Sequence, residues 1–447
     1  MNPQEIFAAR VPRYTSYPTA PHFHDGIDAG TYRAWLAELD PAVALSLYVH
    51  IPFCDTLCWF CGCHAKVVNT YSPLAGYLDV LDREIALTAA ALGARRRVTH
   101  IHWGGGSPTM LKPDDMRRLG AMLRARFDIA PDAEFAVEID PRGFTAETAK
   151  ALADIGVNRA SVGVQDFTPE VQRAINRLQD FETTVNCIGL LRANGISRLN
   201  VDLIYGLPHQ TVEGLRRTIG DVLSLQPDRL AIFGYAHVPS FKKHQSLIPE
   251  SALPGLEARF AQAEAARRAV VAAGYAAIGL DHFALTDDPM ATAVASGTLR
   301  RNFQGYTTDV APALIGLGAS AISSLPQGYV QNIVEVPQWR AAIAEGRLPA
   351  ARGIALSDDD RIRRAVIERL MSGLAVDLAA VAREYGADPK MFAVALAALQ
   401  PYARDGIVCI DGWRLAVPGR WRSAVRLVCA AFDSYLEAGA ARHSAAV

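Results

Sequence analysis

Four cysteines lie within ten residues in the stretch that begins at Tyr48, YVHIPFCDTLCWFCGCHAK. They are Cys54, Cys58, Cys61 and Cys63, in the spacing C-x3-C-x2-C-x-C. Structural zinc sites usually pair two C-x2-4-C knuckles, and the sequence has no second knuckle. Iron–sulfur clusters instead take closely spaced cysteines from one loop, and three such ligands would leave the fourth iron open to a substrate or cofactor. We interpret the loop as an iron–sulfur site, with structural zinc or unrelated thiols as the alternative.

Further polar motifs follow the β-rich runs of the sequence. HWGGGSPT contains glycines that let the backbone approach a ligand, although an ordinary tight turn is the commoner meaning of such a triplet. Glu138 and Asp140 follow another run, where either could cap the next helix. Asp202 lies within the apolar run LNVDLIYG, and a buried charge is costly unless it is paired. Gln165 needs partners in an apolar setting, and Arg177 could be a carboxylate ligand or a surface helix residue.

The elements that must position these residues alternate in type. Six β-rich runs are separated by runs of helical period across the first two thirds of the chain. The six runs are LSLYVHI, VTHIHW, EFAVEI, RASVGV, RLNVDLIYG and RLAIFGYAH. This alternation predicts an α/β fold with a parallel sheet, either doubly wound or a partial barrel. Both arrangements gather the motifs at the carboxyl ends of the strands.

Three regions follow from the same patterns. Residues 1–35 form a Pro- and Tyr-rich arm without clear periodicity, and residues 36–345 contain the strand–helix alternation. Residues 346–447 are predicted to be a small, mostly helical domain with one short hairpin, IVCIDGWRLAV, and a closing helix, WRSAVRLVCAAFDSYLEAGA. The chain of 447 residues is long enough for such an organisation.

Composition narrows the class of protein. The formal net charge is −1, so nothing favours nucleic acid or an anionic membrane surface as a partner. No apolar run is long enough to span a bilayer, and the first residues lack the apolar core of a signal peptide. We therefore expect a cytoplasmic protein, in which thiols stay reduced and clustered cysteines serve metal or redox chemistry.

A family resemblance rests on several motifs spread over most of the chain. They are RYTSYPTA, LYVHIPFC with FCGC, HWGGGSPT, EIDPR, GVQDF, INRLQ, DLIYGLP, DHFA and RNFQGYTTD. With them the chain resembles the oxygen-independent coproporphyrinogen III oxidases (dehydrogenases) of the radical S-adenosylmethionine (SAM) superfamily, whose signature is C-x3-C-x2-C. The resemblance implies a partial (β/α)6 barrel of the radical SAM type.

The resemblance also implies site residues. Cys54, Cys58 and Cys61 would hold a [4Fe–4S] cluster, while Cys63 matches a further family cysteine that is not a cluster ligand. The positions that match cofactor-binding residues are Tyr48, Phe60, Cys63, Gly105, Gly106, Ser107, Glu138, Gln165, Arg177, Asp202, Ala236 and Ile322. They would divide between two SAM molecules. No catalytic residue is assigned beyond the ligands of the cluster and of SAM.

The implied reaction is the oxidative decarboxylation of two propionate side chains of coproporphyrinogen III to vinyl groups, which gives protoporphyrinogen IX for haem synthesis. A 5′-deoxyadenosyl radical from SAM would remove a hydrogen atom from the propionate β-carbon. The implied partners are the substrate, a reductant such as flavodoxin or ferredoxin, and an electron acceptor that the sequence does not identify. We expect a monomer.

Two alternatives remain at the level of sequence. A haem-binding chaperone would share the cluster motif, but such relatives generally lack RYTSYPTA and the C-x-C that ends at Cys63, and both are present here. A radical SAM enzyme that acts on another tetrapyrrole, such as a haem-degrading one, would differ in its product. Ser107 stands where threonine is frequent and keeps the hydroxyl. Ser240 stands where a larger apolar residue is common, which could alter the substrate pocket slightly.

Overall fold

The computed structural model describes residues 11–436. The strands are, in chain order, β1 Leu45–Ile51, β2 Phe53–Cys54, β3 Lys66–Val67, β4 Arg97–Gly105, β5 Asp128–Ile139, β6 Arg159–Gln165, β7 Arg198–Tyr205, β8 Arg229–Gly234, β9 Tyr275–Ile278, β10 His282–Leu285, β11 Arg300–Asn302, β12 Gly305–Thr307, β13 Ala313–Leu317, β14 Ile322–Leu325, β15 Gly328–Asn332, β16 Ala350–Ala355, β17 Ala375–Asp377, β18 Cys409–Asp411 and β19 Arg414–Ala416. The helices are α1 Ala29–Ala37, α2 Ser72–Ala91, α3 Pro113–Arg126, α4 Ala146–Asp154, α5 Pro169–Ala174, α6 Phe181–Ala193, α7 Val212–Ser224, α8 Leu256–Ala272, α9 Pro289–Ala295, α10 Val336–Ala344, α11 Asp358–Gly373, α12 Leu378–Glu384, α13 Ala393–Arg404 and α14 Val425–Ala430.

One large sheet carries the fold. Its strand order is β16-β15-β14-β13-β1-β4-β5-β6-β7-β8-β10-β9. The six predicted strands are confirmed as β1, β4, β5, β6, β7 and β8, which pair in parallel in that order. A further parallel strand, β13, pairs with the other edge of β1 and was not predicted. Antiparallel strands then extend both ends of the sheet.

The alternation of residues along β1 shows why the sheet encloses a polar space. Leu45, Leu47, Val49 and Ile51 are at most 1% exposed and belong to the main apolar core. The residues between them are polar: Ser46, Tyr48 and His50. Because successive side chains of a strand point to opposite faces, the apolar set packs under the helices and the polar set lies on the inner face.

A buried carboxylate ties helix α2 to the sheet edge. Glu84 accepts hydrogen bonds from Gly318 N (2.9 Å), Asn332 Nδ2 (2.7 Å) and Trp339 Nε1 (3.0 Å). These donors come from the turn after β13, from β15 and from α10. Burial raises the pKa of Glu84 to about 8, although the three donors oppose that rise. Glu84 thus joins elements that are far apart in sequence.

Residues 11–35, the described part of the predicted arm, contain the start of a helix and buried tyrosines. Helix α1 begins inside the arm at Ala29, and Asp28 caps that helix by accepting from Thr31 N at 2.8 Å. Tyr14 and Tyr17 are 3% and 2% exposed and pack in the core of the C-terminal domain. The remaining predicted arm residues, 1–10, lie outside the described part of the chain.

The arm reaches that domain through specific hydrogen bonds. The Tyr14 hydroxyl donates to Asp433 Oδ2 at 3.0 Å, and the Tyr17 hydroxyl lies 2.8 Å from Ser434 Oγ. The guanidinium of Arg426 donates to the backbone oxygens of Val11 and Pro12. The segment therefore joins the first and last described parts of the chain.

The C-terminal domain differs from the prediction in two places. Strand β16 pairs with β15 in the large sheet, so the predicted boundary at residue 346 comes too early. The predicted closing helix is α-helical over Val425–Ala430 and begins as a 3₁₀ helix, Gly419–Ala424. Its last predicted residues, 437–440, lie outside the described residues. The predicted hairpin is present as β18 and β19, and β17 completes a small sheet with it. No helix within residues 11–436 is long and apolar enough to cross a membrane.

Candidate active site

A cavity of about 680 Å³ lies on the inner face of the sheet. Twelve of the fifteen predicted site residues line it: Cys54, Cys58, Phe60, Cys61, Cys63, Gly105, Gly106, Ser107, Glu138, Gln165, Arg177 and Asp202. Tyr48, Ala236 and Ile322 are absent from its lining. The sheet therefore brings most of the predicted positions around one space, at the end where the parallel strands finish.

The cysteine loop is held on two sides by backbone contacts. Trp59 N donates to Ile175 O at 2.9 Å on one side. On the other side Gln245 Nε2 donates to Phe60 O at 3.0 Å, and His244 Nε2 lies 2.7 Å from Cys61 O. These contacts fix the loop after β1 without using the thiols, so the sulfur atoms remain available as ligands.

The thiols have different electrostatic surroundings. Cys58 Sγ lies 3.6 Å from Arg142 Nη2 and 3.5 Å from Arg177 Nη1, so two guanidinium groups face one sulfur. Burial raises the pKa of Cys54 to about 12. Hydrogen bonds from Cys63 lower the pKa of Cys61 to about 6, and Cys63 N lies 3.4 Å from Cys61 Sγ. The loop thus already contains groups that stabilise thiolate charge.

The donor set fits an iron–sulfur cluster better than a single ion. Among residues 11–436, no three His, Cys, Asp or Glu side chains are close enough together to hold one metal ion. A four-iron cluster binds its thiolates at separate corners, so its ligands need not converge on one point. Cys54, Cys58 and Cys61 share one loop and one cavity and are electrostatic neighbours, as such a cluster requires.

Glu138 and the glycine motif form one unit. The Glu138 carboxylate accepts from Gly105 N at 3.0 Å and lies 3.1 Å from His102 Nε2. Burial opposes ionisation, but the hydrogen bonds from His102 and Gly105 hold the pKa of Glu138 below its usual range. A Cβ at Gly104 would lie 2.6 Å from a carboxylate oxygen, and Gly105 has φ +110°. The glycines are therefore required by close packing and backbone conformation, not only by a turn.

Arg177 is a buried residue, so its interpretation as a surface helix charge is wrong. It is 6% exposed and follows helix α5. Its guanidinium donates to Asp140 Oδ2 at 3.1 Å and to Gly163 O at 2.7 Å. Asp140 also pairs with Arg142 at 2.6 Å. The ion pair orients Arg177 toward the cysteine loop, where it reaches Cys58.

Asp202 and Gln165 lie on neighbouring strands of the cavity wall. Asp202 accepts from Ser161 Oγ and from Asn200 Nδ2, both at 2.8 Å, so neutral donors satisfy it. Burial raises the pKa of Asp202. Gln165 ends β6 with φ +70°, a left-handed conformation that is unfavourable for a residue other than glycine. Such local strain is often found at binding sites.

The three residues outside the lining have other surroundings. The Tyr48 hydroxyl lies 2.9 Å from His50 Nδ1, and the Tyr48 ring stacks on His102 with centroids 5.8 Å apart. Ala236 O accepts from Gln245 Nε2 at 3.2 Å. Ile322 lies in β14 and packs beside a small apolar cluster. Their assignment to SAM binding stays a prediction.

Sequence reasoning missed several paired polar side chains at the cavity wall. Arg159 pairs with Glu134 at 3.0 Å, Arg229 pairs with Asp288 at 2.8 Å, and His100 lies 3.2 Å from Asp309. Glu134, Arg159, Arg229, His100 and Asp309 line the cavity. Polar residues in otherwise apolar strands were the available signal. That signal identified Asp202 as a candidate site residue, but it was not applied to these residues.

Two family profiles match this chain, one in the large sheet and one in the C-terminal domain. A profile of the Radical SAM superfamily matches residues 48–222, and a profile of the HemN C-terminal domain matches residues 356–420. The second match begins just after strand β16 ends, in agreement with the domain boundary that the sheet indicates.

Full-length relatives are also similar. An oxygen-independent coproporphyrinogen III oxidase of Bradyrhizobium diazoefficiens is 52% identical, over 98% of this chain and 97% of that protein. The anaerobic coproporphyrinogen III oxidase 1 of Cereibacter sphaeroides is 44% identical, over 99% and 97%. The solved structure of Escherichia coli coproporphyrinogen III oxidase, described as a radical SAM enzyme, matches with TM-score 0.91 and 40% identity, over 96% of this chain and 100% of that one. The cysteine loop, the partial barrel and these full-length matches lead to one conclusion: the chain belongs to the oxygen-independent coproporphyrinogen III oxidase family of the radical SAM superfamily.

Proposed function

We propose that this protein converts coproporphyrinogen III to protoporphyrinogen IX by oxygen-independent oxidative decarboxylation of two propionate side chains to vinyl groups. The observation that carries the proposal is the cysteine loop at the end of a polar cavity, in a chain of this family. When bound, a [4Fe–4S] cluster and SAM would supply a radical that removes a hydrogen atom from the propionate β-carbon. The reaction belongs to haem biosynthesis.

Different residues of the cysteine loop and its surroundings would bind the cluster and stabilise it. Cys54, Cys58 and Cys61 would hold the cluster, and the guanidinium groups of Arg142 and Arg177 would offset thiolate charge at Cys58. Cys63 donates to Cys61 and is not needed as a ligand. The contacts of Trp59, Phe60 and the backbone of Cys61 would keep the loop rigid when the cluster binds.

SAM would bind along the inner ends of the strands. It carries an ammonium and a carboxylate, which suit an ionised Glu138 and a guanidinium such as that of Arg177. Asp202 with its neutral donors would suit hydroxyl or amine groups. We propose two SAM molecules divided among the lining residues. Enclosure by the sheet would keep water away from the reacting carbon.

Partners and location complete the proposal. The cluster needs one electron from a reductant, for which flavodoxin or ferredoxin is suited, and the reaction needs a final electron acceptor. We propose a monomer in the cytoplasm, where reducing conditions keep the cysteine thiols available. Ser240 is exposed beside the segment that holds the cysteine loop, so it would influence the substrate at most indirectly.

The test is anaerobic incubation of the reconstituted protein with coproporphyrinogen III, SAM, dithionite and a one-electron acceptor, followed by product analysis. Protoporphyrinogen IX with release of carbon dioxide and methionine is the expected result, and the Cys58→Ser variant should give none. Tight haem binding without carbon dioxide release would favour the chaperone instead. A product formed from haem would favour a different tetrapyrrole enzyme.

A further inference from the structure

An apolar patch surrounds the outer side of the cysteine loop. Nine large apolar side chains are exposed in the described part of the chain, and four of them lie on segments that contact this loop. These four are Leu57, Leu178, Phe241 and Leu247, which are 36%, 65%, 66% and 53% exposed. We call them the loop-flanking patch. Single exposed apolar residues are ordinary, but a group beside one functional loop indicates an interaction surface.

Contacts join the cysteine loop to the two segments that carry the other patch residues. Asn176 Nδ2 donates to Leu57 O at 2.8 Å, which links the loop to the segment that carries Leu178. Trp59 and Phe60 pack against one apolar cluster that contains Ile175 and Ile248. Gln245 Nε2, on the segment with Phe241 and Leu247, donates to Phe60 O at 3.0 Å. The loop therefore contacts both segments that carry the other three patch residues.

The patch is not explained by the cavity. Leu57 lines the cavity, whereas Leu178, Phe241 and Leu247 do not. SAM and a tetrapyrrole act inside the cavity, so they would not use these three side chains. A protein that delivers electrons to the cluster, in contrast, has to approach the cluster from outside the cavity.

The charges around the patch indicate which kind of partner protein would bind there. Residues 54–63, 173–178 and 241–247 contain three cations outside the cavity, Arg173, Lys242 and Lys243, and one acid, Asp55. Arg177 is buried and paired with Asp140, so it does not belong to this surface. Arg173 and Lys243 are both exposed. The Lys242 ammonium donates to Cys63 O at 3.1 Å, which places a positive charge directly over the loop. Such a surface favours an acidic partner.

We propose that the loop-flanking patch is the docking surface for an acidic protein that carries single electrons. This inference rests on the proposed function, because only a redox cluster in the loop needs such a donor. In the transfer the donor is oxidised by one electron and the cluster is reduced by one. Apolar contacts at Phe241 and Leu178 hold the donor against the loop, and the cations orient it.

The test compares a protein donor with a small reductant. Reduced flavodoxin is the probe, the double variant Phe241→Ser/Leu178→Ser is the test protein, and Val394→Ser is the matched control. Val394 is an apolar residue that is 83% exposed on helix α13, away from the loop. Flavodoxin binding is measured by calorimetry on reconstituted protein, and cluster reduction is followed by absorbance and electron paramagnetic resonance.

The double variant should bind flavodoxin with about tenfold lower affinity, as expected for loss of central interface contacts. At limiting flavodoxin, its cluster should be reduced about tenfold more slowly. Reduction by dithionite and iron content should not change, and Val394→Ser should behave as the unmodified protein. Equal reduction of all proteins by flavodoxin would overturn the proposal. Weaker binding of coproporphyrin III by the double variant, with unchanged flavodoxin binding, would also overturn the proposal, because the patch would then serve the substrate. Loss of a dimer by the double variant on gel filtration would overturn it as well, because the patch would then be an interface between copies of the chain.

A charge variant keeps the test decisive if the double variant loses iron. Lys243→Glu changes an exposed side chain and should lower the flavodoxin reduction rate most at low ionic strength. A rate that does not respond to this substitution at any salt concentration would also overturn the proposal. If the unmodified protein binds flavodoxin but forms no protoporphyrinogen with dithionite, the proposed function fails and the docking surface stands.

Discussion

We expect the individual thiols of the cysteine loop to have different roles, and serine substitution tests this. Serine at Cys54, Cys58 or Cys61 should strongly reduce iron content, because a four-iron cluster needs each of three thiolates. Cys63→Ser should keep the iron content, because the contact with Cys61 Sγ comes from the backbone N of Cys63, which serine retains. Iron analysis and the visible absorbance of reconstituted proteins measure both results.

Activity is the second readout for Cys63. We expect Cys63→Ser to form less protoporphyrinogen, since the loop side chains that face the cavity depend on its packing. Loss of iron in Cys63→Ser would make that residue a ligand. A variant of Cys54, Cys58 or Cys61 with a full, redox-active cluster would remove that residue from the ligand set.

Arg177 should contribute to SAM affinity more than to cluster retention. Arg177→Gln is expected to weaken SAM binding by about 1.5–3 kcal/mol, the range for one charge-assisted hydrogen bond. Iron content should persist, because Arg142 also reaches Cys58 Sγ. Equilibrium binding of SAM measures the effect. Arg173→Gln is the control, since Arg173 lies exposed on the same segment. Unchanged SAM affinity in Arg177→Gln would mean that Arg177 does not bind SAM and serves only in its ion pair with Asp140.

The residues of the site were predictable to different degrees. Asp202 was found because a charge in an apolar run needs an explanation. Arg142 was not found, because an arginine two residues after an acid is ordinary. Arg159 was not found, because it opens the run RASVGV with no acid beside it, and only the fold shows that it faces Glu134. The burial of Arg177 depends on Asp140 and Gly163, which no local pattern connects to it.

At the scale of elements, Glu84 makes stability depend on pH. Its folded-state pKa of about 8 is above the ordinary 4.5, so unfolding releases a proton between these values. The free energy of unfolding should therefore fall as pH rises from about 4.5 to about 8 and then level off. Glu84→Gln should lack this part of the pH dependence. Urea denaturation of the two proteins at several pH values measures it, and parallel pH profiles would contradict the prediction.

The strands and helices were predictable where their patterns are strong. The six parallel strands are rich in β-branched residues and bounded by polar segments, and the helices between them have clear period. Strand β13 was missed because ALIGL is short and contains glycine, and its identity depends on pairing with β1. Helix α1 was missed because its buried residues, Tyr32 and Leu36, are too few to reveal a period.

At the scale of the whole molecule, the arm should stabilise the C-terminal domain. Tyr17→Ala removes a ring that is 2% exposed in the core of that domain, so it should cost about 3–5 kcal/mol of unfolding free energy. Tyr14→Phe removes only the hydrogen bond to Asp433 and should cost about 0.5–1.5 kcal/mol. Urea denaturation gives the values, and limited trypsin digestion shows whether the arm detaches. Equal stabilities of Tyr17→Ala and the unmodified protein would mean that the arm is not part of the core.

The position of the arm also has a consequence for synthesis on the ribosome. Tyr14 and its partner Asp433 are 419 residues apart, so the arm emerges long before the residues that bind it exist. Strand β1 likewise waits for β13 to fill its second edge. The nascent chain therefore displays the cysteine loop on an unfinished sheet during most of translation. Insertion of iron and sulfide into an enclosed site therefore has to wait at least until strand β13 has been made and has paired with β1.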